Sequence, residues 1–162
     1  MAASRSAPPA VPLGESFTHR LHRLHKLTDR VSQQAYVAQA GLSLSEGRCL
    51  AAIGAFTPLS VNDLAQHANL NKAQASRAAQ ALVDQGLVVK AASATDGRGV
   101  VLTLTASGRA AWQRVMRVIG ERNEAIVSCL SEAERRQLDR LLDKLVRHAE
   151  AGDTGAGEGE SD

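Results

Sequence analysis

The sequence is poor in aromatic residues and in cysteine. Phe, Trp and Tyr together make up 2% of the chain, although apolar residues as a whole make up 44%. The core must therefore be built from Leu, Val, Ile and Ala, a composition that favours packed helices. The two cysteines, Cys49 and Cys129, lie within apolar helical patterns, which indicates neither a disulfide scaffold nor a zinc cluster. We expect each to be a small buried hydrophobic residue.

Long hydrophobic runs are also lacking. The chain has no apolar stretch of about 18 residues, the length that a membrane-spanning helix needs. The segment from Met1 to Gly14 is rich in Ala, Pro and Ser and lacks the apolar centre of a signal peptide. These absences argue against membrane insertion and secretion, and we expect a cytoplasmic protein.

Acidic residues are unevenly distributed along the chain. There are 19 Lys and Arg residues against 17 Asp and Glu residues, which gives a net charge of +2, but four of the acids lie in the tail 151–162. The rest of the chain is therefore more basic than the total indicates. A folded part with this excess can approach phosphate, although charge alone does not indicate that it reads a base sequence.

The length of 162 residues fits one folded unit, which we place at residues 15–150. The ends, residues 1–14 and 151–162, have little apolar surface to bury, and we expect both to be disordered. Apolar residues at helical spacing predict a first helix over residues 15–40, ended by Gly41. A second helix is predicted from about Ser45 to Phe56, because Pro58 disfavours its continuation.

Two closely spaced helices follow. Ser60 and Asp63 have the spacing of a capping box, in which the residue before a helix and its third residue bond each other's backbone. They predict a helix over about 61–68. After a tight turn, Asn71 can cap a further helix with Gln74 at its third position, and this helix runs to about residue 85.

A hairpin and two long helices complete the chain. Short apolar runs at 87–91 and 100–104 flank a polar segment with the turn signal Asp96-Gly97, which predicts an antiparallel pair of strands. Thr105 is a candidate cap for a long helix to about residue 129. Ser131 and Glu134 form a second capping-box pattern. The helix that they open carries an apolar stripe of Leu138, Leu141, Leu142 and Leu145.

This order of elements predicts a mainly α fold, a winged helix-turn-helix with a two-stranded β wing, flanked by long N- and C-terminal helices. The second helix of the pair can enter the major groove of DNA, which is about 12 Å wide. Amide and guanidinium groups read base edges, whereas Ser and Lys hold phosphates. The residues that we expect at the DNA are Asn71, Lys72, Gln74, Ala75, Ser76 and Arg77.

Three of the candidate DNA contacts have a structural interpretation as well. Ser60, a further candidate at the start of the first helix of the pair, can serve as a cap only, and so can Asn71. The stem of Arg77 can pack along its own helix. The sequence leaves these alternatives open.

The segment Leu70–Arg77 (LNKAQASR), followed by Gly86–Val89 (GLVV), Asp96–Arg98 (DGR) and Leu102–Gly108 (LTLTASG), resembles the MarR family of transcriptional regulators. The close match spans residues 60–108. The resemblance implies a two-fold dimer made by helices within 15–40 and 105–150, and a DNA-binding lobe over 45–104.

The same resemblance implies how such a dimer binds its operator. Recognition helices lie in adjacent major grooves of pseudo-palindromic double-stranded DNA, and a wing arginine reaches the minor groove. Arg98 takes the wing role here, and Asp96 orients it. Lys90 stands where many relatives have Arg, and the wing is short and less basic than usual, which implies a modest contribution of the wing to DNA affinity.

MarR-like proteins commonly respond to small aromatic carboxylates or phenols bound between the dimer helices and the DNA-binding lobe. The resemblance therefore implies a repressor that such an effector releases. The polar residues that could line the pocket are His19, His22, His25 and Arg48. The three histidines recur every three residues, a spacing that is also compatible with an anion or a metal on one side of the helix.

Other functions remain as alternatives. The chain could be a metal-responsive or redox-responsive regulator of the same fold, or a helical metal-binding or interaction protein that does not bind DNA. An enzyme is not indicated, because the sequence has no nucleotide-binding loop, no H-E-x-x-H pattern, no nucleophile motif and no paired carboxylates. We expect no cofactor.

Overall fold

The computed structural model of the protein describes residues 11–92 and 100–156. The described elements, in chain order, are α1 (Phe17–Ala40), α2 (Leu44–Phe56), β1 (Leu59–Ser60), α3 (Val61–His67), α4 (Lys72–Asp84), β2 (Val88–Ala92), β3 (Val100–Leu104), α5 (Ala106–Val127) and α6 (Glu132–Ala156). The predicted winged helix-turn-helix with long flanking helices is confirmed. The chain forms two compact units, one up to Gly120 and one from Glu121 onward.

The boundaries of α1 and α2 depend on local capping. Gly41 ends α1 in the left-handed conformation, with φ of 68°, which glycine adopts without steric cost. Ser43 caps α2, which begins at Leu44, one residue earlier than predicted. Its hydroxyl oxygen accepts from the Glu46 backbone N–H at 3.2 Å, and the Glu46 carboxylate accepts from the Ser43 N–H at 2.7 Å. This capping box was missed, although Ser43 and Glu46 have the required spacing.

The capping box predicted for α3 is only half formed. The Ser60 hydroxyl oxygen accepts from the Asp63 backbone N–H at 3.1 Å, as expected. The Asp63 carboxylate, however, accepts from the Ser60 hydroxyl at 2.6 Å. Because Asp is one methylene shorter than the Glu of a full capping box, its carboxylate stays beside the hydroxyl and does not return to the backbone.

The wing is a three-stranded antiparallel sheet in the order β1-β3-β2. Strands β2 and β3 pair from Val88 opposite Leu104 to Ala92 opposite Val100, one residue later on β2 than predicted. Strand β1 pairs with the other edge of β3; its two residues are too short to give a sequence signal. Asp96 and Arg98, the predicted wing residues, lie outside the described residues.

The core of the first unit lies where α2, α3, α4, β3 and α5 meet. Its fully buried side chains include Leu50, Ile53, Leu64, Leu82, Leu102 and Val115. The expected aliphatic core is therefore present. Gly108, in the first turn of α5, is also buried and lies against the backbone of Leu87.

The second unit contains the end of α5 and the whole of α6. The Ser131 capping box is present: its N–H and hydroxyl donate to the Glu134 carboxylate at 2.8 and 2.7 Å, and both bonds lower the pKa of Glu134. Cys129, just after α5, is exposed, so its predicted burial is wrong. It lies beyond the last helical turn, where the apolar pattern no longer faces a core.

The ends of the chain hold more regular structure than expected. A 3-10 turn, Leu13–Glu15, begins within the segment 1–14 that was predicted to be disordered and ends one residue beyond it. The Ser16 hydroxyl donates to the Leu13 carbonyl at 2.8 Å. At the other end α6 continues to Ala156, past Gly152 and Gly155, because each glycine in a helix costs only about 1 kcal/mol. Residues 1–10 and 157–162 lie outside the described part. Among the described helices, none is long and apolar enough to cross a membrane.

Candidate nucleic-acid interface and adjoining pocket

One face of helix α4 packs against the core, and the opposite face is exposed to solvent. Its buried stripe consists of Ala75, Ala78, Ala79 and Leu82. The predicted contact between Ala75 and the bases is therefore wrong: Ala75 has 0% exposure because it is the first core residue of this stripe. The remaining polar candidates, Lys72, Gln74, Ser76 and Arg77, are all exposed on the first two turns of the helix.

The start of α4 is fixed by a complete capping box. The Asn71 side-chain oxygen accepts from the Gln74 N–H at 2.8 Å, and the Gln74 side-chain oxygen accepts from the Asn71 N–H at 3.2 Å. Both amide oxygens are therefore used within the helix terminus, and both amide NH₂ groups can donate outward. A bidentate contact between Gln74 and adenine would use its NH₂ group together with the second lone pair of its side-chain oxygen.

The cations of this face are available for an external anion. Within residues 11–92 and 100–156, neither Lys72 nor Arg77 lies within 4.0 Å of a carboxylate oxygen in an ion pair. They lie on the exposed side of the first turns of α4, where the helix dipole also favours negative charge. This end of α4 is thus suited to phosphate and to the acceptors on base edges.

A chain of hydrogen bonds joins the wing to α4. Lys90 on β2 donates through Nζ to the side-chain oxygen of Gln80 at 2.7 Å. The Gln80 side-chain NH₂ then donates to the Asp84 carboxylate at 2.7 Å. All three side chains lie on the protein surface. Lys90 is therefore held against the C-terminal half of α4.

The turn between α3 and α4 has left-handed backbone. Asn69 has φ of 52°, a conformation that Asn tolerates better than other residues with a Cβ. The next N–H, that of Leu70, donates to the Ala65 carbonyl at 3.0 Å. The predicted tight turn is confirmed, and it sets the direction in which α4 leaves α3.

A cavity of about 240 Å³ lies beside this turn. Its walls come from α1, α2, α5 and the end of α3, all within the first unit. Phe56 and His67 stack in it with ring centroids 4.2 Å apart. Burial raises the pKa of Tyr36, and the nearby Arg48 partly offsets this. The lining residues are Tyr36, Arg48, Ala51, Ala52, Ala55, Phe56, His67, Ala68, Asn69, Met116 and Ile119.

Of the four predicted ligand residues, only Arg48 lines this pocket. Its Nη2 lies 2.7 Å from the Asp29 carboxylate. The histidines His19, His22 and His25 are exposed on α1 and do not line the cavity. In the described part of the chain no group of three His, Cys, Asp or Glu side chains could hold a metal ion. Side chains three positions apart on a helix drift around its axis, which separates the trio.

Cys49 is unsuited to redox sensing. It is fully buried, and burial together with Glu46 raises the pKa of its thiol to about 12. A thiol reacts through its thiolate, which this site disfavours at neutral pH.

We expect one thiol per native chain, that of Cys129, to react with a chromogenic disulfide at pH 8, and the thiol of Cys49 to react only after unfolding. The control is Cys129→Ser, which should lose the fast reaction. Fast reaction of its one remaining thiol, that of Cys49, would contradict the assignment.

The fold and the exposed start of α4 define a winged helix-turn-helix DNA-binding protein. The MarR family model matches residues 40–99. The HTH-type transcriptional repressor Rv2887 of Mycobacterium tuberculosis is 32% identical over 116 residues, which cover 72% of this chain and 84% of that protein. The HTH-type transcriptional regulator BilQ of Clostridium symbiosum is 29% identical over 111 residues, 68% of this chain and 77% of its own. The chain belongs to the MarR family of DNA-binding transcriptional regulators.

Solved structures agree with this assignment. The structure of Rv2887 in complex with salicylic acid is similar with a TM-score of 0.66 and 30% identity, and covers 85% of this chain and 98% of that one. Bordetella bronchiseptica BpsR, whose DNA binding is regulated by 6-hydroxynicotinic acid, gives a TM-score of 0.75 at 22% identity and covers 85% of this chain and 97% of its own. The latter supports the fold alone.

Proposed function

We propose that the protein is a repressor and not an enzyme, that two copies bind one pseudo-palindromic operator, and that an aromatic carboxylate or a phenol releases it. The observation that carries the proposal is the exposed face of the first two turns of α4, where Lys72 and Arg77 have no carboxylate partner among the described residues. A protein that acts on chromosomal DNA works in the bacterial cytoplasm, which is where we place it.

The proposed contacts divide by chemistry. The amide NH₂ groups of Asn71 and Gln74 and the guanidinium of Arg77 donate to base edges in the major groove. Lys72 and Ser76 hold phosphates, and Ser60 does so from the start of α3. Arg98, oriented by Asp96, takes the minor groove on the strength of the family resemblance.

Apolar side chains exposed on the long helices support the dimer. On α1, Phe17, Leu24 and Leu27 are more than half exposed, and on α6 Leu141, Leu142 and Leu145 are exposed as well. Stripes of this kind at helical spacing are covered by a second helix in stable proteins. A second copy of the chain supplies such helices, and a two-fold dimer repeats its recognition helix about one DNA turn apart.

The pocket beside the α3–α4 turn is the proposed effector site. Apolar side chains surround one guanidinium, that of Arg48, and this combination suits a small ring that carries a carboxylate. The acids named for Rv2887 and BpsR are of this class. Ala68 and Asn69 form both the pocket wall and the turn before α4. A bound ring therefore contacts the segment that orients the recognition helix.

Titration of the native protein into labelled promoter DNA at fixed salt tests the proposal. We expect saturation at two chains per duplex, at least about 1,000-fold preference over random DNA, and release by millimolar salicylate. Equal affinity for random DNA would favour the alternative of an interaction module that does not read DNA. Specific binding that salicylate leaves unchanged would retain the regulator and remove this class of effector.

A further inference from the structure

Asp29 lies between two nitrogen-bearing side chains. On one side its Oδ1 accepts from Arg48 Nη2 at 2.7 Å, and on the other its Oδ2 lies 3.3 Å from His25 Nε2. His25 and Asp29 are one turn apart on α1, whereas Arg48 belongs to α2. The side chains of Asp29 and Arg48 are 28% and 27% exposed, so this ion pair is only partly screened by water.

Arg48 faces the pocket with a carboxylate already bound to it. Tyr36 is near enough to both charges for each to act on its pKa, in opposite directions. A guanidinium presents paired N–H groups that fit the two oxygens of one carboxylate. A second carboxylate brought to the same guanidinium is repelled by the first, because two like charges at this distance disfavour each other.

We propose that Asp29 occupies the position of the effector's carboxylate on Arg48, and that the effector binds by replacing it. The released Asp29 carboxylate keeps its contact with His25. This inference rests on the proposed function, since it assumes that the pocket takes an aromatic carboxylate. It adds that Asp29 competes with the ligand and lowers its apparent affinity.

The exchange also has a mechanical consequence. The Asp29–Arg48 bond joins α1, a proposed dimer helix, to α2, which belongs to the DNA-binding lobe. When the effector takes Arg48, a bond between these helices is replaced by a bond to a small molecule. The same acid therefore fills the pocket beside the α3–α4 turn and removes one of the bonds between α1 and α2, while that from the Leu44 N–H to the Gln33 side chain remains.

Calorimetric titration of the full chain at one pH tests the exchange, with salicylate and its uncharged analogue salicylamide as probes. We expect Asp29→Asn to bind salicylate roughly tenfold more tightly than the native protein, because the competing charge is gone while the amide oxygen still accepts from Arg48. Arg48→Gln loses salicylate binding. Salicylamide affinity changes in neither variant by more than about twofold, since it has no carboxylate to compete for the guanidinium.

Asp143→Asn is the matched control, because it removes the same charge from an exposed position on α6. It should leave salicylate affinity unchanged, and thermal unfolding should show that all variants are folded. Salicylate binding that Arg48→Gln weakens and Asp29→Asn does not strengthen overturns the exchange and leaves the effector pocket standing. If salicylate binds neither the native protein nor Asp29→Asn, the exchange and the proposed effector pocket are both overturned. Binding to Asp29→Asn alone supports the exchange.

Discussion

Gln74→Glu is expected to lower operator affinity by about 100-fold while the protein stays folded. Glutamate at this position keeps the acceptor for the Asn71 N–H, which the Gln74 oxygen now fills at 3.2 Å, and its charge suits the start of a helix. It removes the outward NH₂ group, however, and brings a negative charge to the phosphates. A lost base contact alone costs about 1–3 kcal/mol.

Fluorescence anisotropy with operator DNA measures the loss, and thermal unfolding shows whether the cap is intact. Gln113→Glu makes the same change of charge on an exposed residue of α5, so its operator affinity should stay within about twofold of the native value. Gln74→Ala is a poorer test, because it removes the cap and the DNA contact together. Native affinity in Gln74→Glu would place the start of α4 outside the major groove.

Gly108→Ala is expected to destabilise the protein by about 3 kcal/mol, at the upper end of overpacking costs. A Cβ at this position would collide with the carbonyl of Leu87, which is backbone and cannot rotate away. That carbonyl also accepts from the Thr105 N–H at 3.0 Å, and the Gly108 N–H donates to the Thr105 hydroxyl at 2.9 Å. The new methyl group would therefore disturb the junction of the wing and α5.

Urea unfolding of the two forms measures the difference. Gly120→Ala is the control on the same helix, because among the described residues no atom outside its own stretch of helix lies within 4 Å of the Cβ that it adds. Alanine is the better helix former, so this variant should gain about 0.5–1 kcal/mol. If both glycine substitutions stabilise the protein, the close approach of α5 to Leu87 is incorrect.

Local signals predicted most of the fold. Signals that span one or two helical turns correctly placed three helix ends. These are the cap at Asn71, the terminating glycine at position 41 and the capping box at Ser131. The strand β1 was not predicted, because two residues carry no periodicity and gain their strand character from pairing with β3. The burial of Ala75 follows from where α4 meets the core, which its own small side chain does not indicate.

The candidate site was less predictable. The polar types at the start of α4 indicated a DNA-reading surface, but the exact donors left free depend on the reciprocal bonds between Asn71 and Gln74. The family resemblance implied an effector pocket, and Arg48 lines the one observed, but the other lining residues could not be read from the sequence because they come from four helices. Asp29 was missed for the same reason: it lies 19 residues from its partner Arg48, and an isolated acid on a polar helix carries no signal of its own.

The bonds from Lys90 through Gln80 to Asp84 have a consequence for the choice of operator. They tie the root of the wing to α4, so a tilt of one element that keeps these bonds carries the other with it. If α4 and the wing contact neighbouring grooves, as proposed above, the bonds favour one spacing between those contacts. We then expect operators with the right bases but an altered local twist or groove width to bind more weakly, because following them would break these bonds or lose a DNA contact.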